Sequence, residues 1–161
     1  MFIRYRLLVF PVPILPEALV PLPPLRDFIV DATFTNPYSK RVGMWDYGFF
    51  FSDSSRLYVT CEQLWALDRE VNEPKPDTPT TFVTGHLPLF NTAAGFTNTL
   101  RLVVQGTQAR LFVNDTYATT ITIPQSREPG YLQVGTGFIQ GNTQSGKETK
   151  VRVQVWALSG Q

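Results

Sequence analysis

The strongest constraint on this fold is the alternation of apolar and polar residues along several stretches of the chain. Over residues 28–34 every second residue is apolar, and over residues 150–158 Val and Ala alternate with Lys, Arg and Gln. Successive side chains of a β-strand point to opposite faces, so this period of two predicts strands with one buried and one solvated face. The chain is therefore expected to bury its apolar faces between sheets.

Turn signals divide the chain into many short strands. Strands are predicted at 26–34, 45–51, 56–62, 100–105, 109–114, 118–123, 130–135 and 150–158. Gly106-Thr107 and Asn114-Asp115 stand where two-residue hairpin turns belong, because Gly and Asn tolerate positive φ. Consecutive strands joined by such turns are antiparallel neighbours. Gly48, inside an aromatic strand, marks either a bulge or the close approach of a neighbouring strand.

Two segments are less regular. Residues 63–72 fit a strand or a helix, because Leu64, Leu67 and Val71 also have helical spacing, and we favour a strand. The three prolines within residues 73–80 predict a loop. The length of 161 residues suits one ordinary domain, and an aromatic content of 13% favours strands.

The N-terminal part differs in composition from the rest. Residues 11–24 contain six prolines, which predict an extended edge strand or polyproline segment. We divide the chain into an arm or linker, residues 1–25, and a single sandwich domain, residues 26–161. Arg4 and Arg6 precede an apolar run as in a secretion signal, but prolines interrupt that run and no small-residue cleavage pattern follows. The sequence therefore shows no clear signal peptide, and the compartment stays open.

Charge and composition argue against several classes of partner and cofactor. Fourteen basic and thirteen acidic residues give a net charge of +1, so no nucleic-acid partner is expected. No apolar stretch approaches the length that a membrane-spanning helix requires. One cysteine and one histidine, Cys61 and His86, exclude the usual thiolate and imidazole metal sites. We expect neither a metal nor another cofactor.

Two motifs resemble a known fold family. The stretch 98–106, with an N-x-L strand and a glycine turn, is followed by Leu111-Phe112-Val113-Asn114, and together they resemble the concanavalin A-like (laminin G-like) domains. The resemblance covers about residues 26–158. It implies an all-β fold, a two-sheet antiparallel jelly-roll sandwich. Such domains serve as carbohydrate-binding modules, adhesion domains, glycosidases and appended sensor domains, so the resemblance slightly favours an extracellular or cell-surface location.

No constellation of residues predicts catalysis. The carboxylate-rich segment 68–73 is the nearest match to the paired carboxylates of a laminarinase-like glycosidase, but its order is altered and a proline-rich loop follows. Cys61 shares an apolar strand face with Leu57 and Val59, where an inert buried thiol is the usual occupant. The sequence therefore predicts a protein that is not an enzyme.

The remaining feature is a group of aromatic residues that suits sugar rings. Trp45, Tyr58 and Trp65, with Arg56 beside them in sequence, are predicted to bind a ligand, because sugar C–H faces stack on aromatic rings. The competing interpretation is that these rings complete the core. The predicted function is a non-catalytic recognition or adhesion module for carbohydrate or a partner protein. The alternatives are a structural subunit or appended domain that docks, or forms homo-oligomers, through the N-terminal arm, and a glycan-active hydrolase.

Overall fold

The fold is all-β wherever it is described. The computed structural model describes the backbone of residues 4–6, 10–12, 18–21, 26–69, 83–123, 132–139 and 149–158, and side chains from residue 26 onward except at Arg69. The strands in these segments are β1 (Arg4–Arg6), β2 (Phe10–Val12), β3 (Ala18–Pro21), β4 (Phe28–Thr35), β5 (Asp46–Phe51), β6 (Ser55–Thr60), β7 (Leu64–Arg69), β8 (Val83–His86), β9 (Thr97–Gln105), β10 (Gln108–Val113), β11 (Thr116–Thr122), β12 (Leu132–Thr136) and β13 (Thr149–Ala157).

The strands form two antiparallel sheets. Sheet A has the order β1-β13-β4-β9-β10-β11, with β2 also paired to β13, and sheet B has the order β3-β12-β5-β6-β7-β8. Every strand pair in both sheets is antiparallel. The predicted two-sheet antiparallel sandwich is confirmed.

The core lies between the sheets and follows the alternation in the sequence. Phe28, Val30, Ala32 and Phe34 of β4 are all buried, as are the valines of β13. A stack of aromatic rings fills one end of the core, where Tyr47 lies 4.2 Å from Phe34, centroid to centroid. Large apolar side chains on facing strands thus bury each other's surface, which is the main stabilising contribution to such a fold.

The hairpin and close-approach predictions hold in detail. Asn114 and Asp115 both adopt positive φ, 51° and 63°, between β10 and β11. A Cβ atom at Gly48 would overlap the backbone of β6, meeting the Leu57 carbonyl oxygen and the Tyr58 Cα. Gly48 is therefore the site of a close approach, and the strand predicted over residues 63–72 is confirmed as β7 for the part that is described. Strand β8 was not predicted.

The N-terminal arm contributes strands to both sheets of its own chain. Strands β1 and β2 pair with β13, and β3 pairs with β12 at the edge of sheet B. Pro11 and Pro21 lie within these strands, and an edge position tolerates a proline because its missing N–H is not needed on the open side. Docking of the arm on a neighbouring chain, and the division of the chain at residue 25, stay predictions.

One end of the sandwich gathers several loops. The β4–β5 connection, residues 36–45, and the β8–β9 connection, residues 87–96, leave the sheets at the same end as the β6–β7 turn. Residues 137–139, which follow β12, start from this end as well. The sandwich therefore has two surfaces that can carry a site, the outer face of sheet B and this loop-bearing end.

Candidate functional site

A hydrogen-bonded cluster lies on the outer face of sheet B, where β6 pairs with β7. Arg56 and Asp68 are direct cross-strand partners, so their side chains share a face. Arg56 donates to Asp68 through Nε at 2.6 Å and Nη2 at 3.0 Å, a two-pronged ion pair. The Tyr58 hydroxyl donates to the same carboxylate at 3.1 Å. We call Arg56, Tyr58 and Asp68 the outer-face cluster.

The loop after β12 is held against this cluster. Arg56 Nη1 donates to the Phe138 carbonyl oxygen at 3.0 Å, and the ring of Phe138 stacks on that of Tyr58 with centroids 5.8 Å apart. Phe138 and Tyr58 thus form an aromatic pair beside the ion pair. The Arg56 and Asp68 side chains stay partly accessible, 22% and 12% exposed.

Asp46, at the start of β5, fixes the position of that loop. Its carboxylate accepts three consecutive backbone N–H groups, those of Gly137 at 2.9 Å, Phe138 at 2.8 Å and Ile139 at 3.0 Å. Gly137 has a φ of +82°, a conformation that favours glycine. Successive main-chain N–H groups in such a turn form an anion-binding concavity, which here the protein's own carboxylate fills.

The electrostatics of the cluster follow from its burial and from two carboxylates, that of Asp68 within it and that of Asp46 nearby. The pKa of the Tyr58 phenol is raised, first because burial disfavours the phenolate and next because the charge and hydrogen bond of Asp68 do the same. Arg56 opposes this rise in pKa, and the charge of Asp46 adds to it. Tyr58 is therefore a neutral hydrogen-bond donor, and two carboxylates, Asp46 and Asp68, act on one hydroxyl.

The four residues predicted to bind a ligand are not brought together. Tyr58 and Arg56 share the outer face of sheet B, whereas Trp45 and Trp65 belong to the core cluster. The indole N–H of Trp45 donates to the Tyr38 carbonyl oxygen at 2.8 Å, and its side chain is 1% exposed. Trp65 is 7% exposed and packs on Gly85 of β8, where a Cβ would overlap the indole ring. A ligand-binding role for these four residues stays a prediction.

The sequence did not predict the contacts of three residues at this site, Asp46, Asp68 and Phe138. Asp68 was considered only as part of a carboxylate run, although the hairpin register places it opposite Arg56. Residues 70–73 of that run lie outside the described residues. Asp46 and Phe138 are 92 positions apart, so no local pattern signals their contact.

Among the residues that the structure describes, no group of three or more His, Cys, Asp or Glu side chains is placed to hold a metal ion. The same segments contain no helix of the length and hydropathy needed to cross a membrane.

Comparisons with known proteins bear on the fold. No protein family model and no curated protein sequence matches the chain. Sheep galectin-11, solved in complex with glycerol, is similar in structure with a TM-score of 0.59 and 12% identity, over 85% of this chain and 95% of that one. A fructosyltransferase from A. japonicus gives a TM-score of 0.65 and 18% identity, over 99% of this chain and 26% of the enzyme. The laminarinase catalytic domain from Thermotoga maritima gives 0.54 and 8%, over 84% and 66%.

These neighbours are jelly-roll sandwiches with two antiparallel sheets. The chain has the concanavalin A-like jelly-roll fold. In the fructosyltransferase a sandwich of this kind makes up about a quarter of a longer chain. The resemblance read from the sequence is confirmed.

One prediction needs correction. The sequence was interpreted as that of a protein that is not an enzyme, but several proteins of similar structure are glycoside hydrolases, among them the laminarinase and a beta-fructofuranosidase from Aspergillus kawachii. The same concanavalin A-like sandwich carries galectins and hydrolases alike. The absence of a familiar catalytic motif in the sequence was therefore not a sufficient reason to exclude enzymatic activity, because one fold can host both catalytic and non-catalytic sites.

Proposed function

We propose that this concanavalin A-like domain binds carbohydrate on the outer face of sheet B, at the outer-face cluster. The observation that carries the proposal is the Arg56–Asp68 ion pair, held in two-pronged geometry with both side chains partly exposed. Planar charged groups in fixed positions suit the hydroxyl groups of a sugar, because charge-assisted hydrogen bonds are stronger than neutral ones.

The aromatic part of the cluster supports the same function. Phe138 is partly exposed and stacks on Tyr58, so an aromatic edge stands beside the polar pair. Sugar ligands combine hydroxyl groups with apolar C–H faces, and sites that bind them pair polar side chains with aromatic rings. The galectin neighbours are carbohydrate-binding proteins of the same fold, which favours a saccharide over another ligand of this face.

The test is a glycan-array screen of the purified domain, followed by titration of the best ligand against matched variants. Asp68→Asn removes the charge that orients Arg56 while keeping the shape of the side chain. Asp31→Asn is the control, because Asp31 forms an equally two-pronged pair with Arg101, both bonds at 2.8 Å, on sheet A.

The expected result is a tenfold or greater rise in Kd for Asp68→Asn, about 1.4 kcal/mol or more, and a change within about twofold for Asp31→Asn. Equal effects of the two substitutions would place the ligand elsewhere. A screen without any saccharide ligand would remove the proposal altogether.

Glycan hydrolysis is the second candidate, and it shares this surface. The glycoside hydrolases of similar structure, such as the laminarinase, favour this candidate. Glycosidases of most families use two carboxyl groups around one sugar linkage, and Asp68 is the partly exposed carboxylate of this face, whereas Asp46 is buried and already accepts three backbone N–H groups. Release of reducing ends from mixed β-glucans and fructans by the wild-type protein, lost about a hundredfold or more in Asp68→Asn but not in Asp31→Asn, is the expected result for a hydrolase. A silent assay on both polymer classes would remove this candidate and leave the binding proposal standing.

A further inference from the structure

A second concave site lies at the loop-bearing end of the sandwich, away from the outer-face cluster. It is a cleft of about 520 Å³ between the β4–β5 loop and the β8–β9 loop. This volume falls within the range of small-molecule binding sites, roughly 300–1,000 Å³. The residues that line it are Ser39, Lys40, Arg41, Pro88, Leu89, Phe90, Asn91, Thr92 and Ala93.

Both walls of this end cleft are held in place by hydrogen bonds from buried side chains, those of Asn36 and Trp45. The side-chain amide of Asn36 donates to the carbonyl oxygens of Asn91 and Ala93, each at 2.8 Å, and so fixes the β8–β9 wall. On the other side, the Trp45 indole N–H donates to the Tyr38 carbonyl oxygen at the start of the β4–β5 wall. A cleft whose walls are fixed before binding loses less conformational entropy when a ligand arrives.

A second polar network supports the same wall from below. The side-chain amide of Asn98 donates to the Asn91 carbonyl oxygen at 2.7 Å, and its oxygen accepts the Asn91 N–H at 3.0 Å. The Tyr47 hydroxyl connects Asn98 to Asn36 within the core. Asn91, which faces the cleft, is thus anchored at its backbone by two buried side chains.

The charge of the end cleft is positive. Lys40 and Arg41 are both exposed and both line it, and none of the lining residues that the structure describes is an Asp or Glu. Within the described segments neither cation has an ion-pair partner. Two adjacent exposed cations attract an anionic group and raise its local concentration.

The opposite wall is apolar at its rim and polar next to it. Leu89 is 72% exposed, while Asn91 and Thr92 are partly exposed. An occupant that satisfies both walls has an anionic group, hydroxyl or ring oxygens for the amide and hydroxyl side chains, and an apolar face for Leu89. An acidic sugar has all three.

We infer that the end cleft binds an acidic saccharide, one whose sugar ring bears a carboxylate. The carboxylate pairs with Lys40 and Arg41, the ring hydroxyl groups bond to Asn91 and Thr92, and the C–H face of the ring lies on Leu89. This site is separate from the outer-face cluster, so its existence does not depend on the proposed function there.

The experiment titrates the purified protein with a short galacturonic acid oligomer and with the galactose oligomer of equal length. The test variant is Lys40→Ala combined with Arg41→Ala. Lys150→Ala combined with Arg152→Ala is the matched control, because these exposed cations of β13 give the same change in net charge and are not among the residues that line the cleft. Backbone amide shifts of Asn91 and Thr92 in NMR spectra report occupancy of the cleft itself.

The expected result is saturable binding of the acidic oligomer with shifts at Asn91 and Thr92, at least about tenfold weaker in the Lys40/Arg41 variant and within about twofold of wild type in the Lys150/Arg152 variant. The amide shifts at Asn91 and Thr92 assign this binding to the end cleft and so separate it from any binding at the outer-face site. Equal losses in the two double variants, binding of the neutral oligomer with the same Kd, or no binding of the acidic one would each overturn the inference.

Discussion

The backbone N–H of Phe138 donates to Asp46 Oδ1 at 2.8 Å, although the two residues are 92 positions apart in the chain. This bond is the middle one of three that tie the loop after β12 to the first residue of β5. Because Phe138 stacks on Tyr58, the Asp46 carboxylate sets the position of the aromatic ring beside the outer-face cluster. One buried side chain thus links the core of sheet B to the surface proposed to bind saccharide.

The substitution Asp46→Ala is expected to release this loop. It leaves three backbone N–H groups without their acceptor, and each buried N–H left unsatisfied costs about 1–3 kcal/mol, less where water reaches it. We expect the free energy of unfolding to fall by about 2–4 kcal/mol and amide exchange at residues 137–139 to accelerate. Asp27→Ala is the control, because Asp27 accepts the Gly106 N–H at an exposed position. Equal losses in the two variants would contradict this role for Asp46.

Gly48→Ala is expected to destabilise the protein by about 3 kcal/mol or more, at the upper end of overpacking effects. A Cβ atom there would overlap the backbone of β6 at Leu57 and Tyr58, and backbone cannot move aside as a flexible side chain can. Gly95→Asn is the control, because Gly95 has a positive φ of 76° and open space around it, and asparagine tolerates that conformation. Guanidinium unfolding of both variants measures the difference, and a loss below about 1 kcal/mol for Gly48→Ala would contradict the close approach.

Alkaline pH is expected to destabilise the fold through two tyrosines. Burial raises the pKa of the Tyr47 and Tyr58 phenols above the usual value of 10.0. An unfolded chain loses these protons near pH 10, while the folded chain keeps them. The free energy of unfolding is therefore at its full value below about pH 10 and falls above it, by up to about 1.4 kcal/mol per pH unit for each tyrosine.

Denaturant unfolding at several pH values between about pH 8 and pH 11, a range that spans the usual tyrosine pKa, measures this pH dependence of the free energy of unfolding. Tyr47→Phe removes one of the two contributions and lowers the slope above pH 10, although the variant also loses the hydrogen bond to Asn36. An unchanged slope in both Tyr47→Phe and Tyr58→Phe would show that these phenols do not govern the alkaline limit.

The strands of the two sheets could be predicted from the sequence because alternation and turn residues are signals within short stretches of the chain. Alternation over residues 28–34 and 150–158 fixed which faces are buried, and the turn residues Asn114 and Asp115 fixed a hairpin. Strand β8 escaped prediction because its four residues, Val83 to His86, alternate little, include a glycine and are mostly exposed. Its place in sheet B is decided by pairing with β7, which no local pattern shows.

The site was harder to predict because its contacts are not local. Alternation placed Tyr58 and Arg56 correctly on one face, since both are even-numbered residues of the same strand. The same rule puts Trp65 on the other face, because it pairs with the inward-facing Val59, but this follows only once the register of β6 and β7 is known. The end cleft combines two loops more than 40 residues apart, so the sequence alone could not bring Lys40 near Asn91.

Trp65→Ala separates a packing role from a ligand-binding role for this tryptophan. The ring is 7% exposed and packs against Gly85, so its removal leaves a cavity between β7 and β8, and we expect a loss of about 3–5 kcal/mol in the free energy of unfolding. Trp156→Ala is the matched control, because Trp156 is only partly buried on β13 and its loss should cost about 1–2 kcal/mol.

Both variants are also titrated with the saccharide found in the array screen, under conditions where each is folded. A packing role predicts an unchanged Kd for Trp65→Ala, because the ring lies on the inner side of sheet B and the outer-face cluster lies on the other. Loss of saccharide binding with an unfolding free energy within about 1 kcal/mol of wild type would instead place Trp65 on the binding surface, since a surface substitution leaves stability nearly unchanged. The packing result and the binding result exclude each other. A ring that stacks on a sugar must expose one face to solvent, and a ring that fills the core exposes neither face.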